Sequence, residues 1–314
     1  MRLYRKVLLA AVAIAAIVPP VTVTNAARLV RFGPARAEKP GLLDDAGVLH
    51  DASGVIDDIT PRTLAGGAVA RLAGLDPQSL PAVAGKPRLG PPVAGVGKIV
   101  ALALNYRAHA AESSSGPAPA EPVLFMKATS AISGPTDPII RPQGAKKIDW
   151  EVELGVVIGR RALNVRRDAA LDYVAGYLIC GDVSERAFQR EHGGQHMKGK
   201  SADSFAPLGP WLLSADRVAD PQALRLWTEV NGRRMQDAST ADMISGVAAT
   251  VSYISRFMTL NAGDVICTGT PSGVGVARKP PVFLKDGDTL VHHIDGLGIQ
   301  RHVVISPGRE KGDE

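Results

Sequence analysis

The sequence predicts a β-rich α+β fold, and three observations carry that prediction. The 33 glycines and 23 prolines among 314 residues favour many short strands and turns over long helices, and they follow no Gly-X-Y period. Apolar runs at 98–104, 123–127, 150–158, 177–183 and 265–268 have strand length and do not alternate regularly with helices, which argues against a doubly wound nucleotide-binding sheet. Runs at 224–230 and 233–236 flank Asn231-Gly232, a strong hairpin signal. Two helices stand out. One starts at Asp168 as N-cap and runs to about 175; the other starts near Ser245 and places Val247, Val251, Ile254 and Met258 on one face.

Residues 1–26 differ from the rest. Arg2, Arg5 and Lys6 precede an apolar run at 7–18, Pro19 and Pro20 end it, and Thr24-Asn25-Ala26 offers small residues for cleavage. This is the layout of a secretory signal peptide, so the expectation is an exported, periplasmic protein; the alternative is an uncleaved leader on a cytoplasmic one. The run is too short for a stable membrane span, which needs roughly 20 residues. Residues 27–90 read as a small β-rich N-terminal domain with strands at 28–32 and 47–50, residues 91–306 as the catalytic domain, and 307–314 as a polar tail. The leader holds three of the five net positive charges, so the pI of about 9.3 describes a targeting segment and not a basic patch. With aromatics at 4%, no nucleic-acid partner is expected. Cys180 and Cys267 lie in apolar, strand-like runs and are expected to be two buried thiols, not a bridge.

The chemistry begins at Trp150-Glu151-Val152-Glu153-Leu154. Side chains alternate along a strand, so Glu151 and Glu153 share a face and can converge on one hard cation; a half-solvated strand with an acidic outer face gives the same pattern. Asp182 ends the apolar run at 177–183 and supplies a third carboxylate, or else the N-cap of a helix over 184–190. Three carboxylates point to Mg2+ or Mn2+. A zinc pair of His192 and His196 is disfavoured by Gly193 and Gly194 between them. In Asn105-Tyr106-Arg107-Ala108-His109-Ala110-Ala111-Glu112, a helical turn makes His109 and Glu112 neighbours, which is how an imidazole becomes a general base; a surface helix is the plainer reading. Lys200 sits in Gly199-Lys200-Ser201, where its ammonium can hold a carboxylate or an oxyanion. The Gly-rich stretch at 268–275 lets backbone approach a ligand or simply turns between strands. Lys127 and Arg107 could guide an anionic substrate or face solvent.

Taken in order, the Asn-Tyr-Arg-x-His-x-x-Glu, Asp-Trp-Glu-x-Glu-Leu, Gly-Asp-Val-Ser-x-Arg, Gly-Lys-Ser-x-Asp and Gly-Thr-Pro-x-Gly-Val-Gly segments resemble the fumarylacetoacetate hydrolase family over roughly residues 95–305. Glu-x-Gly-Gly-Gln before Gly-Lys-Ser, with the stretch at 237–243, is similar to the branch of 2,4-diketo-3-deoxy-sugar-acid hydrolases of the fuconate and rhamnonate type. The resemblance implies a mixed β-roll, a homodimer and a small N-terminal domain. It implies Glu151, Glu153 and Asp182 as metal ligands and His109 with Glu112 as the water-activating pair. Lys200 falls at the substrate, and Gln189 and Thr270 fall among substrate-binding residues, to which the guiding cation Arg107 is added from its place in the chain. Gly181 and His196 depart from the family pattern near the pocket. The expected activity is metal-dependent hydrolysis of a carbon–carbon bond in a 2,4-dioxo acid of the acylpyruvate type, giving pyruvate and a carboxylic acid. The alternatives are an oxaloacetate-type decarboxylase or a dienoate isomerase or hydratase on the same site, and, from another class, a non-catalytic sugar-acid-binding module.

Overall fold

A computed structural model describes residues 28–113 and 118–307, so the leader and all but the first residue of the expected tail lie outside the described residues. The central sheet runs in the spatial order Leu49–Asp51, Lys39–Leu43, Arg28–Phe32, Ala206–Ser214, Val174–Gly181, Val152–Ile158, Val265–Cys267, Ile99–Ala103 and Val123–Lys127. Along this path the neighbours are antiparallel, except that Val265–Cys267 and Ile99–Ala103 are parallel. A second sheet starts with the hairpin Arg225–Val230 and Arg233–Ser239 and continues through Thr289–Ile294, Gly298–Ile305 and Ile139–Ile140. Asn231 and Gly232 both take positive φ at the hairpin tip, as the tight turn requires. The architecture is thus a sheet-rich α+β fold with mixed sheets, as expected.

The strand Val152–Ile158 is buried along its whole length because both of its faces are covered. Val152, Leu154 and Val156 join one core with Leu226 and Ile294 of the second sheet, while Val157 joins a different core with Trp150 and Leu178. By strand alternation Glu153 shares the Val157 face, so its carboxylate is driven inward with no solvated side to reach. That disposes of the acidic outer face as the reason for the Glu-x-Glu pattern.

Several expected elements take a different form. Strand Arg28–Phe32 pairs with Ala206–Ser214, and Leu29, Leu42 and Leu72 share a core with Trp150 and Leu178, so the N-terminal segment extends the main sheet. Asp168 caps no α-helix: a 3-10 helix spans Arg167–Tyr173, and the Asp168 side chain pairs with Arg166 on the surface. The amphipathic helix is Val247–Ser255; Gln222 Oε1 caps its Val247 amide, and Met258 falls beyond its end. No helix among the described residues is long and apolar enough to cross a membrane.

The cysteines correct an expectation. Cys180 and Cys267 are joined in a disulfide across 87 residues of sequence. They sit on the two strands that flank Val152–Ile158, opposite Glu153 and Gly155 respectively. A side chain at Gly155 would strike Leu178 Cδ1 at 2.4 Å and crowd Cys180 Cβ, so the glycine opens the space between them. Strand pairing, which local apolar texture does not report, brings the sulfurs together.

Candidate active site and metal centre

The site forms where the strands Val152–Ile158 and Val174–Gly181 end side by side. Their ends are tied by the Asp182 amide, which donates to the Glu151 carbonyl at 2.9 Å. Ser184–Glu185 pairs with Ile148–Asp149, and this two-stranded ladder carries Asp149, Glu151 and Asp182 into one region. Glu151, Glu153 and Asp182 are all buried, and one oxygen from each lies within 4.8 Å of the others. Asp182 is not a helix cap. Helix Arg186–Glu191 is capped by Glu185, whose carboxylate accepts from the Phe188 amide.

Three cations face this cluster. Lys200 Nζ donates to Glu151 Oε2 at 2.7 Å and to Asp182 Oδ2 at 2.6 Å. Lys127 Nζ donates to Asp182 Oδ1 at 2.5 Å and to the Val183 carbonyl. Arg186 bonds Glu151 through one terminal nitrogen and Asp149 through Nε at 2.8 Å, and its other terminal nitrogen donates to Gln189 Oε1 at 3.1 Å. Burial alone would raise the Glu151 carboxyl, but Lys200 and Arg186 hold it below the usual carboxylate range. Glu153 behaves oppositely. Burial, with Asp182 and Glu151 as negative neighbours, pushes its pKa well above the ordinary value, and the donor it receives is the Gly269 amide at 2.7 Å. Burial lowers the Lys127 ammonium despite Asp182 beside it, whereas Asp182 and Glu151 outweigh burial to raise Lys200.

Asp149 braces the site from behind. It accepts from the Gly275 and Val276 amides at 2.6 and 3.0 Å and so docks the loop at 268–275 onto the Arg186 side of the cluster. A side chain at Gly275 would meet the Val282 carbonyl at 2.0 Å, so the glycine is required for this approach. Helix Arg107–Glu112 brings His109 Nδ1 to 2.8 Å from Glu112 Oε1. Glu112 is held in turn by the Gly273 amide at 2.9 Å. With Nδ1 on the carboxylate, Nε2 carries the lone pair that can accept a proton.

A cavity of about 420 Å³ gathers these groups: His109, Glu112, Glu151, Gln189, Lys200 and Thr270 all line it, with Leu102, Phe125 and Val274 among its apolar walls. Gln189 keeps its amide N–H pair without a partner among the described residues. Thr270 Oγ1 donates to the Val152 carbonyl at 2.9 Å, which commits its proton away from the cavity. Arg107 is not brought in; its guanidinium lies against the carbonyls of Asp242 and Met243. Arg190, which the sequence reading missed, lines the cavity and has no hydrogen-bond or ion-pair partner among the described residues. His196, half-buried against the edge of Phe125, lines it too, and burial followed by the charge of Lys200 lowers its pKa. Asp149 and Arg186 also escaped notice as site residues, although both stand in the Asp-Trp-Glu and Val-Ser-x-Arg segments already singled out.

The cluster fits a hard divalent ion. All three candidate donors are carboxylate oxygens, and Glu153 is a buried carboxylate with no cation in hydrogen-bond contact among the described residues, which is the deficit such an ion fills.

The chain is 52% identical over 274 residues, covering 87% of its length and 97% of the relative, to a Burkholderia orbicola protein whose name gives it only as a hydrolase. Among solved structures it is similar to the fumarylacetoacetate hydrolase of Exiguobacterium antarcticum, with TM-score 0.80 and 35% identity over 90% of this chain and 100% of that one. It is also similar to a 2-hydroxyhepta-2,4-diene-1,7-dioate isomerase from Mycobacterium marinum, with TM-score 0.68 and 33% identity over 90% of this chain and 100% of that one. The model of the fumarylacetoacetate hydrolase C-terminal domain matches residues 98–305, the stretch that supplies the carboxylates, the lysines and the His109–Glu112 pair, so the chain belongs to the fumarylacetoacetate hydrolase family.

Proposed function

We propose that the protein is a divalent-metal-dependent hydrolase that cleaves the carbon–carbon bond of an acylpyruvate-type 2,4-dioxo acid, releasing pyruvate and a carboxylic acid. The observation that carries this reading is that the His109–Glu112 pair lines one cavity with Glu151, whose carboxylate clusters with those of Glu153 and Asp182 behind it. A site for enolate chemistry alone has no use for a water base, whereas hydrolysis does. Glu151, Glu153 and Asp182 would hold Mg2+ or Mn2+, which supplies Lewis-acid polarisation and orientation of the α-keto acid.

His109 Nε2 takes a proton from water while Glu112 steadies the imidazolium that forms. The hydroxyl oxygen bonds to the distal carbonyl carbon, whose oxygen gathers the charge. Lys200 has two of its three N–H donors on Glu151 and Asp182, and the third, with the open amide of Gln189, is available to that oxyanion. The bond between the former carbonyl carbon and the pyruvate methylene breaks, its electron pair leaves as the enolate, and the proton held by His109 passes to that carbon. Arg190 takes the guiding role that sequence position offered to Arg107, as a cavity-wall cation with no ion-pair partner among the described residues.

The similarity to an isomerase favours a second reading on the same site, in which proton transfer at carbon replaces water attack. Assays with Mg2+ on acetylpyruvate and on a 2-hydroxy-2,4-diene-1,7-dioate, using wild type and His109→Ala, separate the two. Cleavage of acetylpyruvate lost in the variant supports hydrolysis; isomerisation of the dienedioate with no cleavage of acetylpyruvate overturns it. The leader and the disulfide both support an exported protein. An N-terminus at Ala27 in the producing cell is the expected result, and an intact Met1 in the cytosol would refute export.

A further inference from the structure

The free edge of the strand that carries the metal ligands is closed by side chains, and one of them, Gln236, makes four hydrogen bonds there. Strand Val265–Cys267 pairs with Val152–Ile158 only as far as Gly155. Beyond it, Thr268 serves the Leu154 carbonyl through both N and Oγ1. Val152, the residue between Glu151 and Glu153, has its carbonyl on Thr270 Oγ1 at 2.9 Å and its amide on Gln236 Oε1 at 3.2 Å.

Gln236 is 1% exposed and comes from the second sheet. Its Nε2 donates to Thr270 Oγ1 at 2.9 Å and to the Pro271 carbonyl at 2.8 Å; its Oε1 accepts from Thr228 Oγ1 at 2.9 Å as well as from Val152. The Pro271 carbonyl can only accept and the Val152 amide can only donate, so the orientation of the Gln236 amide is fixed. Behind it, Thr228 accepts from His292 Nδ1 at 2.9 Å, which sets the direction of the whole chain from His292 to Thr228, Gln236, Thr270 and the Val152 carbonyl.

We infer that Gln236 is the positioning residue of the metal centre. It holds both backbone polar groups of Val152, directly at N–H and through Thr270 at C=O, and so sets the Glu151 and Glu153 carboxylates at the spacing one ion needs. The same amide fixes the Thr270-Pro271 turn that lines the cavity. This inference rests on the metal-site reading above.

The test is Mn2+ affinity of the metal-free protein, measured by the electron paramagnetic resonance of free Mn2+ at a temperature where near-ultraviolet dichroism shows each variant folded. Gln236→Met keeps the volume and removes all four bonds. Its expected Mn2+ Kd is weaker by about 10–100-fold, the range for residues that orient metal ligands. Thr228→Val leaves Gln236 its bonds to Val152, Thr270 and Pro271, and is expected to stay within about threefold of wild type. A merely structural glutamine would lower the melting temperature in both variants and leave Mn2+ affinity of the folded protein unmoved, which would overturn the inference. Should Gln236→Met not fold, Thr270→Val breaks the carbonyl end alone and decides the matter: weakened Mn2+ binding supports the positioning role, and wild-type binding overturns it. Failure of the wild type itself to bind Mn2+ would overturn the metal-site reading, and this inference with it.

Discussion

Glu153→Gln separates the cost of the acidic cluster from its use. In the metal-free protein Glu153 lies buried within 4.8 Å of Glu151 and Asp182, and the ammonium groups of Lys200 and Lys127 are engaged by those two neighbours. Two like charges at that distance repel by about 3–4 kcal/mol at an effective dielectric constant of about 20. The nearby lysines offset part of two such repulsions, and protonation relieves more. Removing the charge while keeping an oxygen for the Gly269 amide should therefore stabilise the metal-free protein by about 1–3 kcal/mol. That corresponds to a midpoint rise of about 2–6 °C for a chain of this size. With an ion at a thousand times its Kd, the wild type gains about 4.1 kcal/mol and the variant little, so the order of stabilities reverses. Thermal melts in chelator and in Mn2+ read both arms. A variant less stable than wild type in chelator, or one that gains as much from Mn2+, would refute the reasoning.

His109→Gln is expected to lower kcat on acetylpyruvate by about 10²–10⁴-fold while leaving Mn2+ affinity intact, since in the proposed reaction the imidazole acts on water; steady-state kinetics beside metal titration check it. Arg190→Leu should raise KM about tenfold, a loss near 1.4 kcal/mol, with kcat little changed, and an unchanged KM would remove Arg190 from substrate binding. Replacing Cys180 and Cys267 by serine should cost about 3–5 kcal/mol, given the 87-residue separation they close, and the unfolded, unreduced wild type should show no free thiol to a colorimetric reagent. Burial pushes His292 down to about 3 and His302 down to about 4. Both are neutral in the folded chain where the unfolded chain already binds protons, so stability is full above about pH 6.5 and falls with decreasing pH, by up to about 1.4 kcal/mol per unit for each group. Urea midpoints that stay flat between neutrality and about pH 5 would contradict this.

How much of this was legible in the sequence depends on how local the cause is. Glu151 and Glu153 were readable because strand alternation is a two-residue rule, and His109 with Glu112 because a helical turn is a three-residue one. The hairpin at Asn231-Gly232 was readable for the same reason. Asp168 misled because a favourable cap residue does not decide between an α-helix and a 3-10 turn when the side chain finds Arg166 instead. The disulfide, the Arg186 bridge between Asp149 and Glu151, and the Gln236 clamp all depend on which strands lie beside Val152–Ile158. No short window of sequence holds that information. Arg107 shows the converse error, since a cation near a site motif in sequence was turned onto the carbonyls of Asp242 and Met243 by the helix that carries it.

The balance of charge in the buried cluster sets how the proposed ion and the proposed substrate would bind together. Asp149, Glu151, Glu153 and Asp182 face Lys127, Arg186 and Lys200, so four carboxylates meet three cations and the fully ionised cluster is negative by one. An anionic keto acid is repelled by such a site. Protonation of Glu153, favoured by its surroundings, brings the cluster only to neutrality. A divalent ion that displaces that proton turns the cluster positive by one, and the first carboxylate of a substrate then neutralises it. Each therefore raises the affinity of the other, as linkage requires. Arg190 at the cavity wall adds attraction without altering this order, because it has no carboxylate of its own to satisfy among the described residues. The three internal cations have a different task. They keep the carboxylates from repelling one another apart before an ion arrives, and Lys200, held by two of them, stays at the spot where the proposed mechanism places the oxyanion.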